Sequence, residues 1–368
     1  MVKKRYPINR WLLPASWIFG FITTLRNWWY DKELLKSVRF NFPVISIGNI
    51  TVGGTGKTPH TEYLIRLLKE YYRIAVLSRG YKRYSKGFIL ADTNTDQTMI
   101  GDEPFQIKQK FPDITVAVHE DRVKGIQELG RYEIPDVILL DDAYQHRKVK
   151  PSLNILLIDY NRIIFEDTML PAGRLREPAR FKDRADIIIY TKCPKNLSPM
   201  DLRILIKKTD PFPYQKLYFS TLKYSSLKPL CNETSNNTIP LKNLNQETSV
   251  LLVSGIASPE SIEMELKKWT CKIIKMSYKD HHWYTNSDIL DILKRFEQIK
   301  TDNKIIVTTE KDAVKLKNAG SDRDFLEKVF VLPVYVDFIK DKDKFKKQII
   351  GHIKKFKNRH NNKPTIYA

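Results

Sequence analysis

The segment GNITVGGTGKTP, residues 48–59, carries the residue types that hold a phosphate group. Gly53, Gly54 and Gly56 let backbone N–H groups turn inward onto phosphate oxygens, at a helix start whose dipole favours anions. Lys57 would reach the β- and γ-phosphates, and the Thr58 hydroxyl would hold Mg²⁺. The full pattern G-x-x-x-x-G-K-[ST] places its first glycine at position 51, where Thr51 stands instead. The nucleotide-binding stretch therefore runs Thr51, Val52, Gly53, Gly54, Thr55, Gly56, Lys57, Thr58.

A second constellation, VILLDDAYQHR (137–147), is an apolar strand ending in Asp141-Asp142, with Gln145 and His146 directly behind. Such a carboxylate pair belongs beside the Mg²⁺ of a phosphate-loop enzyme. In GDEP, Asp102 opens a helix; that is a capping pattern, and a cap aspartate that faces a site can also act as a base. The loop MLPAGRLREPARF (169–181) offers Arg174, Arg176 and Arg180 to clamp phosphate and Glu177 to help hold metal. SYKDHHWY (277–284) sets Asp280 beside His281 and His282, too few ligands for zinc but a carboxylate–histidine pair for acid–base work. LSRGYKR (77–83) and VTTEKDAVKL (307–316) each close an apolar strand with polar residues.

The elements that must position these groups alternate in type. Apolar runs at 44–47, 73–78, 114–118, 136–142, 154–159 and 185–191 read as buried strands. Helical spacing falls between them, as in Tyr63, Leu64, Leu67, Leu68 and Tyr71, and over 103–110 and 121–130. The expected fold class is α/β: a phosphate-loop, mainly parallel sheet flanked by helices. After the polar stretch 221–247 a second, smaller α/β pattern begins, with strands at 248–257, 271–277, 303–310 and 328–336. Ligands gather at the carboxyl ends of such strands, so the glycine-rich loop and the aspartate pair point to one edge.

At 368 residues two domains are expected. The net charge of +21 (63 Lys and Arg against 42 Asp and Glu) favours a polyanionic partner. No RRM, KH or zinc-knuckle pattern accompanies it, so no nucleic-acid partner is expected. Three separated cysteines, Cys193, Cys231 and Cys271, indicate neither a disulfide framework nor a zinc knuckle. Trp11, Trp17, Trp28 and Trp29 lie in an N-terminal apolar stretch with Lys3, Lys4, Arg5, Arg10 and Arg26. The stretch is too interrupted to span a bilayer comfortably and suits a helix lying in the membrane interface; a helix packed on its own domain is the alternative.

Together GNITVGGTGKTP, LSRGYKR, GDEP, LDDAYQHR, LPAGRLREP, DHHWY and VTTEKDAVKL, in this order, resemble the tetraacyldisaccharide 4'-kinase family of lipid A biosynthesis. The resemblance implies two α/β domains, attachment to the cytoplasmic face of the inner membrane through the N-terminal helix, and transfer of the ATP γ-phosphoryl group to the 4'-hydroxyl of tetraacyldisaccharide 1-phosphate. It accounts for Thr51, since this family's loop carries a small hydroxyl residue there. The family usually has glycine and phenylalanine where Ala143 and Tyr144 stand, and proline where Arg174 stands. Expected boundaries are a membrane-associating helix at 1–35, the kinase domain at 36–228, a linker at 229–247, the smaller domain at 248–340 and a basic helix or tail at 341–368. In the expected mechanism Gly53, Gly54, Gly56 and Lys57 cradle ATP, and Thr58, Asp141 or Asp142, and Glu177 surround Mg²⁺. Asp102, supported by His281, takes the hydroxyl proton, and Arg176 neutralises developing charge.

A regulatory ATPase or GTPase switch is the alternative function. It would require a base-reading motif such as N-K-x-D, and TKCP (191–194) lacks the aspartate. Partitioning-type ATPases share the GGTGKT ending but carry a lysine where Val52 stands.

Overall fold

A computed structural model describes residues 8–92, 94–231, 238–256, 259–270, 272–319 and 323–359. Lys3, Lys4, Arg5 and Cys271, named above, lie outside the described residues, as does the end of the basic tail.

The chain forms two units, Met1–Leu222 with Val336–Ala368, and Lys223–Tyr335. In the first, helix α1 (Leu13–Asp31) precedes β1 (Val44–Gly48), α2 (Lys57–Leu68), β2 (Ile74–Ser78), β3 (Ile89–Leu90), α3 (Gln97–Ile100), α4 (Asp102–Lys110), β4 (Thr115–Val118), α5 (Arg122–Tyr132), β5 (Val137–Asp141), β6 (Leu153–Asp159), β7 (Ile187–Thr191), α6 (Pro199–Thr209) and β8 (Lys216–Tyr224). The second unit holds β9 (Lys228–Pro229), β10 (Ser249–Ser254), α7 (Glu260–Leu266), β11 (Lys272–Ser277), α8 (Asn286–Glu297), β12 (Lys304–Thr309), α9 (Glu310–Ala319), α10 (Arg323–Lys328) and β13 (Val329–Leu332). Strand β14 (Val334–Phe338) and helix α11 (Lys342–Arg359) follow.

The first sheet runs β14-β8-β7-β6-β1-β5-β2-β4-β3. Its β8-to-β4 stretch is parallel, and β3 pairs antiparallel at the edge. Strands β1, β2 and β5 are buried on both faces, as the continuous apolar runs require. Ile47 sits opposite Asp141, so the loop leaving β1 and the aspartates ending β5 emerge side by side. The second sheet runs β11-β10-β12-β13-β9, parallel except for β9.

Three sequence expectations change. The run 328–336 is not one strand: Pro333 has no N–H to continue a ladder, and the chain passes there from β13 in one sheet to β14 in the other. Within the expected tail, the described residues 341–359 are not separate from the first unit. Helix α11 buries Phe345, Ile349 and Ile353 in the same core as Ile45, Ile47 and Leu64 of the first unit. The stretch 229–247 is not wholly a linker, because Ile239, Leu241 and Leu244 pack with Val250, Leu252 and Val307 of the second unit.

Helix α1 reverses the usual amphipathic arrangement. Ser16 and Asn27 are buried against the first unit, where Ser16 accepts from the Ala172 N–H (2.9 Å). Trp17, Ile18, Phe21 and Ile22 are exposed, as is Trp11 in the turn just before the helix, by 94%. No helix among the described residues is long and apolar enough to cross a membrane.

Candidate active site

The glycine-rich loop is shaped by what pins its carbonyls. Arg162 donates to the Val52 oxygen (3.3 Å), and the Thr191 hydroxyl donates to the Thr55 oxygen (2.8 Å). The C=O of one residue and the N–H of the next point oppositely across a trans peptide. Pinning those two oxygens therefore turns the Gly53 and Gly56 N–H groups to the other side, into the loop. Gly53 and Gly56 take φ of 95° and 85°, where a side chain would be strained. Lys192 donates to the Gly54 oxygen and is itself held by Asp159 at 2.9 Å. His60 holds the Gly56 oxygen at 2.7 Å; burial drives its imidazole down to about 4, so a neutral ring donates from Nδ1.

Thr51 is buried and bridges to Leu175, and the Val52 N–H donates to the Arg174 oxygen (2.9 Å). The arginine-rich segment thus lies along the phosphate loop as a short strand. Arg176 reaches across it to Asn49 and to Asp142 (3.1 Å). Lys57, the first residue of α2, lies 3.5 Å from the other Asp142 oxygen, and Thr58 follows it in the first turn. Burial by itself would raise the Asp142 carboxyl, but Lys57 and Arg176 prevail and hold it below the usual carboxylate range.

Asp141 is fully buried. One oxygen accepts from Thr61 (2.9 Å), and Oδ2 has no hydrogen-bond partner among the described residues. Burial, then Glu103 and Asp142, raise its pKa to about 7. An orphaned buried carboxylate oxygen is what a hard cation satisfies, so Asp141, with Asp142 and Thr58 beside it, fits Mg²⁺. Mg²⁺ needs only one or two carboxylates plus phosphate oxygens. Among the described residues no group of three or more His, Cys, Asp or Glu could hold a metal on its own.

Asp102 is buried at the first position of α4 and accepts from the Gln97 amide at 2.7 Å. The field of the adjacent Glu103 is felt at Asp141, so the α4 start and the β5 end meet at one edge. Gln145 donates its amide to the Asn49 oxygen. His146 accepts from the Arg122 N–H (3.2 Å), and burial, then Arg122, lower its pKa to about 4. His281 belongs to the second unit, in a turn after β11.

Glu177, expected to help hold metal, is engaged with α1 and with Arg184. Both its oxygens are taken, one by Asn27 of α1 (2.9 Å) and one by Arg184 (2.6 Å), because the chain turns it toward α1. Arg180 likewise donates to Thr24 of α1 (3.0 Å) rather than standing in the phosphate loop. The bracing residues Asn49, His60, Thr61, Arg162 and Lys192 were not read from the sequence. Lys192 had a visible signal in TKCP at a strand's carboxyl end, but its side chain braces the loop.

The sequence matches the family description Tetraacyldisaccharide-1-P 4'-kinase over residues 8–354. A relative from Phocaeicola vulgatus named tetraacyldisaccharide 4'-kinase is 51% identical over 353 residues, covering 95% of this chain and 96% of its own. One of the same name from Bacteroides thetaiotaomicron is 47% identical, covering 94% of each chain. A crystal structure of "apo" form LpxK from Aquifex aeolicus in complex with ATP superposes with a TM-score of 0.70 at 32% identity, over 93% of this chain and 98% of the other. With the phosphate loop, the aspartate pair and this near-complete coverage, the chain belongs to the tetraacyldisaccharide-1-P 4'-kinase family.

Proposed function

We propose that the chain transfers the γ-phosphoryl group of ATP to the 4'-hydroxyl of tetraacyldisaccharide 1-phosphate. One arrangement carries the reading: the phosphate loop after β1 and the buried Asp141 after β5, with its unpartnered oxygen, open onto the same sheet edge. Phosphoryl transfer asks mainly for positioning and charge neutralisation, and this edge supplies both. The Gly53 and Gly56 N–H groups and Lys57 bind phosphate oxygens. Asp142 orients Lys57 and Arg176, so two cations are held ready for the transferred group. Asp141, Asp142 and Thr58 would hold Mg²⁺, which would supply positive charge to neutralise the phosphate groups. Asp102 accepts the proton of the sugar hydroxyl.

The test is phosphoryl transfer from γ-labelled ATP to the tetraacyldisaccharide 1-phosphate in detergent with Mg²⁺. Labelled bisphosphorylated lipid is expected; ATP hydrolysis without labelled lipid would overturn the reading in favour of an ATPase switch.

The same proposal places the protein on the cytoplasmic face of the inner membrane. Support comes from the reversed α1, whose tryptophans and phenylalanine face away from the unit that binds its polar stripe. Such a face embeds in the headgroup region, and nearby Lys and Arg favour an anionic surface. Substituting Trp17, Phe21 and Ile22 together by serine is expected to move most of the protein from floated vesicles containing anionic lipid to the soluble fraction. Undiminished flotation would remove α1 as the anchor.

A further inference from the structure

The phosphate loop sits at the carboxyl edge of the first sheet. At the opposite edge the first unit has a cavity that the proposed reaction does not use. The five residues of β1 separate the two edges by roughly 16 Å, at about 3.3 Å each. The segment leading into β1 and the segment leading into its neighbour β6 form two walls, and the last turns of α11 form the third. They enclose about 450 Å³, within the range of about 300 to 1,000 Å³ usual for small-ligand sites.

The floor is apolar. Phe40, Phe42 and Val44 are buried, and Phe356 of α11 joins them in the lining. The rim is cationic: Arg39 comes from the first wall, Lys150 from the second, and Lys355 and Arg359 from α11, all exposed. No lining residue is acidic, and none of these four cations has a carboxylate partner among the described residues. The lack of acid is local, because Lys342 and Lys357 of the same helix are paired, with Asp337 (3.0 Å) and Asp136 (2.6 Å).

His352 lines the same cavity, half-buried. The Ser152 hydroxyl donates to the Val44 oxygen (3.0 Å), so its lone pairs take the Val44 N–H (3.2 Å) and the His352 Nε2–H (3.0 Å). That tautomer leaves a lone pair on Nδ1, which has no hydrogen-bond partner among the described residues. Burial, then the Lys355 ammonium, hold the imidazole pKa below its ordinary value. Like charges gathered on one cavity repel, and a bound anion relieves the repulsion.

We propose that this cavity is a second binding site, for an organic phosphate. The phosphate group lies on Arg39, Lys150, Lys355 and Arg359, and the apolar or aromatic part of the ester lies on Phe40, Phe42 and Phe356. Guanidinium forks match phosphate oxygens in pairs, and ammonium groups add charge. A soluble nucleotide and a phospholipid headgroup share this chemistry. The inference does not rest on the kinase reading, since the cavity lies at the other edge of the sheet.

The test follows the ring Cε1–H of His352 by NMR in the full chain. Seven histidines give few signals, and His352→Gln and His60→Gln assign the two that matter. His60 braces the phosphate loop and so reports occupancy of the other edge. Three probes are titrated without Mg²⁺: adenosine 5'-monophosphate, dihexanoyl phosphatidic acid as monomer, and inorganic phosphate. The expected result is a saturable His352 shift with at least one ester, at concentrations at least about 10-fold below those at which inorganic phosphate acts, a factor that one partly buried ring or acyl chain supplies. Saturation by the nucleotide assigns a soluble ligand, and saturation by the lipid assigns a membrane headgroup. Lys355→Glu combined with Arg359→Glu should weaken that response at least about 10-fold, with phosphoryl transfer in detergent at the parental rate. Arg39→Glu combined with Lys150→Glu, on the other two walls, should do the same and serves if the first pair disturbs α11. No His352 shift with either ester overturns the proposal. Inorganic phosphate acting as strongly as the esters also overturns it, and so does an undiminished response in both charge-reversed pairs.

Discussion

Asp141→Asn is expected to make the ligand-free protein more stable at pH 8 while cutting Mg²⁺-dependent transfer on the order of 10²- to 10³-fold. The two effects share one cause. In the folded chain burial, then Glu103 and Asp142, lift the Asp141 carboxyl to about 7, against an unfolded value near about 3.9. Between those values the folded state binds the proton that the unfolded state releases, so stability falls as pH rises through this window. Below the lower value the group contributes nothing; above about 7 the whole penalty applies. Asparagine keeps the acceptor for Thr61 and removes the charge, which relieves a penalty of about a few kcal/mol at most. Thermal melts at pH 5 and pH 8 check this: the variant should gain most at pH 8, and Mg²⁺ with ATP should stabilise the parent far more than the variant. A variant less stable than the parent at pH 8 would show that the carboxylate is not held at a cost.

Asp102→Asn is the second large effect, with kcat expected to fall on the order of 10²- to 10⁴-fold, the range supplied by a positioned general base. Asparagine retains the volume and can still accept from Gln97, so the start of α4 should persist and the KM for ATP should change little. Steady-state kinetics with varied ATP and lipid separate the two parameters. Unchanged kcat would remove Asp102 from proton transfer, and a rise in the KM for ATP alone would make it a nucleotide-binding residue.

The parallel sheet was legible because its strands are buried on both faces and read as unbroken apolar runs. Val137–Asp141 is an example: the carboxylate that ends it was visible as a break in hydropathy. The loop was legible because G-K-T chemistry is local. What was hidden depends on contacts distant in sequence. Nothing near Glu177 announces that Asn27, 150 residues earlier, and Arg184 take both its oxygens. Arg162 and Lys192 sit 110 and 138 residues from the carbonyls they pin, and a basic residue after a strand has no periodicity to betray that task. Strand β8 was missed because its last residues fall in the polar stretch 221–247, and the final three, Leu222–Tyr224, are not fully buried, which resembles loop. Pro333 was readable in principle, since a proline inside an apolar run argues against an unbroken strand.

The return of α11 to the first core has a consequence for biosynthesis. The chain segment that finishes the hydrophobic packing beside β1 is translated only after Lys223–Tyr335 is complete. Domains whose chain is continuous can fold as they leave the ribosome. Here the phosphate-loop unit must wait, with a sheet edge and a core unfinished, until β14 and then Phe345, Ile349 and Ile353 of α11 arrive. A premature stop after Tyr335 would therefore spare the second unit and abort the one that binds nucleotide.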